Sequence, residues 1–354
     1  MSSFLSDKYK SLVPYTPGEQ PQDKKYVKLN TNESPYPPSP LAVELAAAEL
    51  ERSRLYPDPD ANALLDTIAN TYSVKRENVI VTNGSDEVLN FAFMAYCDAK
   101  TPAVFPDITY GFYKVFADIN GVPYKEIPLN QDFTVNLNEF KKSNGTVFIA
   151  NPNAPTGICL SLGEIEELLA SNPGRVVVID EAYVDFGAES AVKLIDKYPN
   201  LLVTMTFSKS RSMAGARLGF GIAGRDIISD LTAIKYSTNP YNVNRITAAM
   251  GVGALKDVEY FKGNVEKIIS VRTDVAARLS ELGFKLTPSR ANFLFASSEK
   301  ISGEELYLKL KARGVLVRHF KGERIKNYVR ITVGSREEMQ ILVDKITEIL
   351  EEIK

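Results

Sequence analysis

Residues 204–221 read TMTFSKSRSMAGARLGFG, a β-prone run that ends by presenting Lys209 among serines, with Arg217 and three glycines close behind. Two cations brought to one spot repel, so a common anion is a natural reason for the pair, and a phosphate would serve. A lysine at the end of a core strand either snorkels to solvent or is partly desolvated, and desolvation moves an amine toward the range useful for condensing with a carbonyl. Asp180 closes the apolar run RVVVID and so stands at the rim of a buried strand; taken alone it would be a helix cap. One strand-crossover-strand unit separates it from Lys209, which would bring the two to one edge. Farther upstream NVIVT runs into NGSDEV, a glycine-bearing turn that opens a helix. The free N–H groups at Gly84, Ser85 and Asp86 can cradle an anion there.

One cofactor accounts for an amine, a carboxylate, an anion cradle and an arginine together: pyridoxal 5'-phosphate. Its aldehyde needs a lysine, its ring nitrogen a carboxylate that keeps it protonated, and its phosphate N–H donors, a hydroxyl and an arginine. An ion pair between Asp180 and the pyridinium in a low-dielectric site strengthens the ring as an electron sink. Neither a nicotinamide enzyme nor a metal enzyme asks for that set.

The motifs VPYTPGEQP, LNTNESPYPPSP, YPDPDANALLDTIA, TNGSDEV, PDITYGFY, NPNAPTG, DEAYVDF, TFSKSRSMAGARLGFG, ANFLF and VRITVGSREE follow one another over nearly the whole chain. In that order they resemble the fold-type I pyridoxal-phosphate-dependent aminotransferases, and within them the histidinol-phosphate branch. The resemblance implies that Lys209 is the lysine joined to the cofactor and the general base, that Asp180 partners the ring nitrogen, and that Tyr183 donates to the ring's 3'-oxygen. Tyr110 would stack on the ring, and Gly84, Ser85, Asp86, Ser208 and Arg217 would hold the phosphate. Tyr56 matches the tyrosine that a neighbouring subunit lends to the phosphate, which implies a homodimer with shared active sites. Arg330 matches the arginine that grips a substrate α-carboxylate through its two-pronged guanidinium. Tyr15 and Arg318 match further substrate contacts, with Arg318 facing a substrate phosphate.

The family usually carries an asparagine directly before PTG, where this chain has Ala154, with Asn153 one residue earlier. Either the turn is rebuilt so that Asn153 reaches the cofactor, or Tyr183 makes that contact alone, because a one-residue offset in an extended segment reverses the side chain. The activity implied is transfer of an amino group from histidinol phosphate to 2-oxoglutarate; more broadly, the substrates are an amino acid or amino-phosphate and a 2-oxo acid. Aromatic aminotransferases and threonine-phosphate decarboxylases share the framework. A non-catalytic cofactor-sensing module is the other class, and it would normally carry a DNA-binding segment that has no counterpart before residue 40.

These side chains need a frame. Short β runs at 78–82, 103–106, 145–150, 175–180, 201–207 and 219–223 alternate with helical stretches, which predicts an α/β fold with a mostly parallel central sheet covered by helices on both faces. Ligands in such sheets sit at the carboxyl ends of the strands, where these residues fall. Residues 1–40 are rich in proline and polar residues and read as an extended arm that needs a surface to lie on. The expected division is this arm, a large cofactor-binding domain over 41–250, and a smaller α+β domain over 251–354 with which the arm packs. GFGIAG at 219–224 has the letters of a dinucleotide fingerprint but lies inside an apolar strand, so its glycines read as points of close approach.

Bulk properties narrow the classes further. With 354 residues, 44% of them hydrophobic, the chain can bury a sizeable core, and a net charge of -2 with dispersed basic residues gives no nucleic-acid or membrane-attracting stripe. The single histidine, His319, excludes multi-histidine metal sites and leaves a serine-histidine relay without a nucleophile elbow. Cys97 and Cys159 show no metal spacing and read as structural thiols in a reducing compartment. No apolar leader or spanning segment is evident, so a soluble cytoplasmic protein is expected.

Overall fold

The computed structural model describes residues 2–353. The arm is extended apart from a short 3-10 turn at Asp7–Tyr9 and carries the short strand β1 (Val27–Lys28). The apolar runs become one seven-stranded sheet built from β2 (Val79–Thr82), β3 (Ala103–Pro106), β4 (Tyr124–Ile127), β5 (Thr146–Ala150), β6 (Val177–Asp180), β7 (Leu201–Thr206) and β8 (Gly219–Ala223). Their spatial order is β2-β8-β7-β6-β5-β3-β4. β3 to β7 run parallel, while β8 is antiparallel to both β7 and β2.

Strand side chains alternate between faces, so a continuous apolar run feeds two cores at once. Ile80, Phe105, Phe148, Val178 and Leu202 point to the face covered by α3 (Ser85–Tyr96), α4 (Phe112–Asn120) and α7 (Arg225–Thr238). Val79, Val81, Ile149, Ile179 and Val203 point to the other, packed by α1 (Pro40–Ala48), α2 (Asn62–Tyr72), α5 (Leu137–Lys142), α6 (Leu162–Ser171) and α8 (Arg245–Lys256). β4 is the strand missed by sequence: it reads YKEI, with only its last residue buried, because it closes an exposed edge.

Residues 225–283, whose pattern in the sequence reads as long helix, divide at 239–244 and again at Asp257, giving α7, α8 and α9 (Val258–Glu281). Beyond it β9 (Phe284–Leu286), β10 (Phe293–Ser298), β11 (Val315–Leu316), β12 (Arg318–His319) and β13 (Tyr328–Thr332) alternate with α10 (Gly303–Ala312) and end in α11 (Arg336–Glu352). Four of these strands form an antiparallel sheet in the order β12-β13-β10-β9. β1 pairs in parallel with β11, and Leu29 of the arm is buried in the same core as Leu294, Val317 and Leu342. No helix among the described residues is long and apolar enough to cross a membrane.

Candidate active site

The carboxyl ends of β5, β6 and β7, the start of α3 and the end of the arm enclose a cavity of about 340 Å³. Lys209, Asp180, Tyr183, Tyr110, Ser208 and Arg217 all line it, as do Ser85 and Asp86. The strand register explains part of this: Ala150, Asp180 and Thr204 are abreast on β5, β6 and β7, so each strand enters its loop at the same level.

Asp180 is almost fully buried, and burial pushes its carboxyl up to about 6. The charge of Asp86 adds to that rise, whereas a hydrogen bond from Tyr113 opposes it. The Tyr113 hydroxyl donates to Asp180 Oδ2 at 3.0 Å, and the Ala182 N–H donates to Oδ1 at 3.3 Å. Both donors are neutral, so the carboxylate lacks the cation that a buried charge calls for. Lys209 Nζ donates to the Thr31 carbonyl at 3.3 Å and lies 5.8 Å from the centre of the Tyr183 ring. Tyr183 Oη accepts from Asn32 Nδ2 at 3.0 Å.

The anion cradle depends on close backbone approach. Gly84 enters α3 with φ +80°, and a Cβ built on it would lie 2.8 Å from Arg217 Nη2. A Cβ on Gly219 of β8 would fall 2.2 Å from the Ser85 nitrogen, so this glycine lets the strand cross the very start of α3. Arg217, itself in the left-handed region at φ 52°, contacts Asp86 Oδ2 at 3.1 Å. The other oxygen of Asp86 accepts from the Tyr110 hydroxyl at 2.8 Å, so one carboxylate holds both the ring and the guanidinium. An amine, a carboxylate short of a cation, and a glycine-lined helix start facing an arginine form a donor set that fits pyridoxal 5'-phosphate.

Other expected residues lie elsewhere. Asn153 does not reach the cavity: its amide donates to the Ile108 carbonyl and Thr156 Oγ1, its oxygen accepts from Thr109 Oγ1, and Ala154 lines the wall instead. Tyr56 is 76% exposed, stacks on Tyr241 with ring centres 4.6 Å apart, and borders a separate groove with Arg245. Arg330, Arg318 and Tyr15 stand outside the cavity lining. Arg318 and Arg330 are direct partners across β12 and β13, a placement of like charges that favours a shared anion. Arg330 Nη2 donates to the Asn30 carbonyl at 3.0 Å, whereas its Nε is buried without a partner. Burial also lowers the pKa of this guanidinium. Arg318 donates to the carbonyls of Thr16 and Pro17, beside Tyr15, whose ring packs 4.5 Å from Phe112.

Sequence reasoning did not single out Tyr113, nor Thr31, Asn32 and Glu33 at the end of the arm. The one available signal was that LNTNES belongs to a motif with no chemistry assigned to it. Burial tends to raise the carboxyl of Glu33, but hydrogen bonds from Lys28 and Thr31 outweigh it and hold this group below the usual carboxylate range.

The family model described as aminotransferase class I and II matches residues 24–346. A histidinol-phosphate aminotransferase of Brachyspira hyodysenteriae is 51% identical over 352 residues, covering 99% of each chain. One from Clostridium botulinum is 46% identical over the whole of both. Among solved structures, the histidinol-phosphate aminotransferase of Sinorhizobium meliloti in complex with pyridoxal-5'-phosphate has a TM-score of 0.91 at 22% identity and covers 100% of this chain and 99% of that one. The L-threonine-O-3-phosphate decarboxylase of Porphyromonas gingivalis has a TM-score of 0.79 at 24% identity, covering 92% and 99%. At such identities the likeness is one of fold.

Proposed function

The chain belongs to the class I and II aminotransferases, and from that membership we propose that it moves the amino group of histidinol phosphate to 2-oxoglutarate, giving imidazole acetol phosphate and glutamate. The observation that carries the reading is the convergence of Lys209 and the cation-seeking Asp180 on one cavity beside an anion cradle, in a chain alike from end to end to enzymes of that name.

Bound pyridoxal 5'-phosphate supplies an aldehyde to capture the amino group and a protonated ring to absorb the electrons left at the substrate Cα. The chain's residues do the rest. Asp180 would keep a proton on the ring nitrogen by ion pairing in a buried site. Lys209 Nζ would hold the aldehyde and serve as the base for the proton at the substrate Cα. Tyr183 would donate to the 3'-oxygen, and Tyr110 would stack on the ring. Ser85, Asp86 and Ser208 would offer donors to the phosphate and Arg217 its charge, whereas the Gly84 N–H, expected among these donors, already donates to the Thr82 carbonyl at 3.0 Å, so this glycine would serve by its close approach to Arg217. Arg330 would receive the α-carboxylate. Arg318 and Tyr15 meet the far end of the substrate.

The proposal includes a homodimer in which Tyr56 serves the neighbour's phosphate, a division into arm, large domain and small domain at residues 40 and 250, and a cytoplasmic location. The test is competitive turnover. Histidinol phosphate, phenylalanine, tyrosine and threonine phosphate are offered with 2-oxoglutarate, and glutamate and carbon dioxide are measured. Preferred consumption of histidinol phosphate with glutamate release is expected. Carbon dioxide from threonine phosphate, or preference for an aromatic donor, would replace the reading.

A further inference from the structure

Tyr113 has no place in the chemistry above, yet it is the largest of the completely buried side chains. Its ring is wedged among Phe105 at 5.7 Å, Phe148 at 5.9 Å and Tyr110, which meets it edge-on at 5.7 Å. Its hydroxyl emerges from that apolar packing at one point, 3.0 Å from Asp180 Oδ2. A tyrosine wholly enclosed by aromatic rings gains its packing as well from phenylalanine, so the hydroxyl is the part that needs explaining.

We propose that Tyr113 is the positioning residue of Asp180: it fixes the orientation and the ionised state of that carboxylate, and so sets how firmly the protein holds a protonated pyridine ring. The inference rests on the function proposed above. The groups facing Asp180 come from four directions. Asp86 at the start of α3 and Glu181, next in the chain, are acids and disfavour a further negative charge. Tyr110, before α4, gives its hydroxyl to Asp86. Thr204, abreast of Asp180 on β7, also helps to lower the pKa of that carboxyl, less than Tyr113 does, but its buried hydroxyl meets no partner at hydrogen-bond geometry among the described residues. That leaves Tyr113 as the side chain that holds the carboxylate.

The choice of a phenol is chemically apt. A lysine or arginine here would neutralise Asp180 and compete with the ring nitrogen for it. A phenol supplies one proton to one oxygen and carries no charge, and burial and the nearby acids keep it in that neutral form. Its rigid ring makes the direction of that donation a property of the core.

The test uses apoprotein and two ligands, pyridoxal 5'-phosphate and the analogue whose ring nitrogen is replaced by carbon, with affinity measured by equilibrium dialysis. Tyr113→Phe is expected to weaken the nitrogen-bearing cofactor on the order of tenfold or more, the scale of a hydrogen bond to a charged group, and to leave the analogue within about twofold. Retained analogue binding also certifies that the variant is folded. In an Asp180→Asn background the same change is expected to add nothing, since the pair is coupled. Thr204→Val is expected to leave both ligands within about twofold. Equal losses for both ligands, an undiminished effect in the Asp180→Asn background, or a Thr204→Val loss matching that of Tyr113→Phe would each overturn the inference while leaving the proposed function intact. A wild-type chain that takes up no pyridoxal phosphate would overturn both.

Discussion

At the residue scale, the site was legible where a polar side chain interrupts an apolar strand. Asp180 announces itself because it ends a run of core residues, and Lys209 and Arg217 because they follow a core strand closely, where two cations need a reason. Tyr113 was not legible, since a tyrosine among phenylalanines looks like packing and its partner lies far away in sequence. Replacing Lys209 by alanine should abolish the visible absorption band of the loaded protein; a surviving band that borohydride fixes onto another lysine would move the assignment. Glu181 supplies a second prediction. It is buried beside Asp180, accepts from Ser190 Oγ and the Ala191 N–H at 2.6 Å each, and burial pushes it up to about 8. Between the ordinary glutamate value of ~4.3 and about 8 the folded chain holds a proton that the unfolded chain has lost, so this group's contribution to stability falls as pH rises through that window, by ~1.4 kcal/mol per unit. Glu181→Gln has no such proton to lose. Urea unfolding of the apoprotein at pH 5 and pH 9 should therefore show the variant gaining on the wild type by a few kcal/mol toward the alkaline end, and a constant difference would count against a protonated Glu181.

At the scale of elements, strands with continuous burial were readable from their apolar runs, as were the caps and glycines that start α3. β4 was not, because an edge strand buried only at its last residue carries no such run. Nor were the breaks between α7, α8 and α9, since the residues there punctuate a helical pattern without reversing it. The crossing of β8 over the start of α3 makes Gly219, the first glycine of GFGIAG, part of the proposed anion cradle. Gly219→Ala would set a methyl group against backbone atoms, 2.2 Å from the Ser85 nitrogen and 2.4 Å from the Gly84 carbonyl carbon. Neither can rotate away. A loss on the order of 3 kcal/mol is expected in denaturation, together with weaker retention of pyridoxal phosphate on gel filtration. Gly163, whose added Cβ would meet nothing within 4 Å and which lies outside the cavity lining, is the control and should tolerate alanine.

At the scale of the whole molecule, the second groove, bordered by Tyr56 and Arg245, stands apart from the active cavity, and the proposed dimer gives it a purpose. Light scattering should then report twice the 39.2 kDa of one chain. Tyr56→Ala should loosen the cofactor although Tyr56 is absent from its own chain's cavity wall; monomers with undiminished cofactor affinity would dismiss the arrangement. The pairing of β1 with β11 also orders events during synthesis. The ribosome delivers residues 27–28 long before the strand they dock on, Val315–Leu316. Until then Thr31 has no fixed perch over the Lys209 amine, and a nascent polypeptide leaves that amine open to whatever aldehyde diffuses past. The arm must meet that later strand before the roof closes.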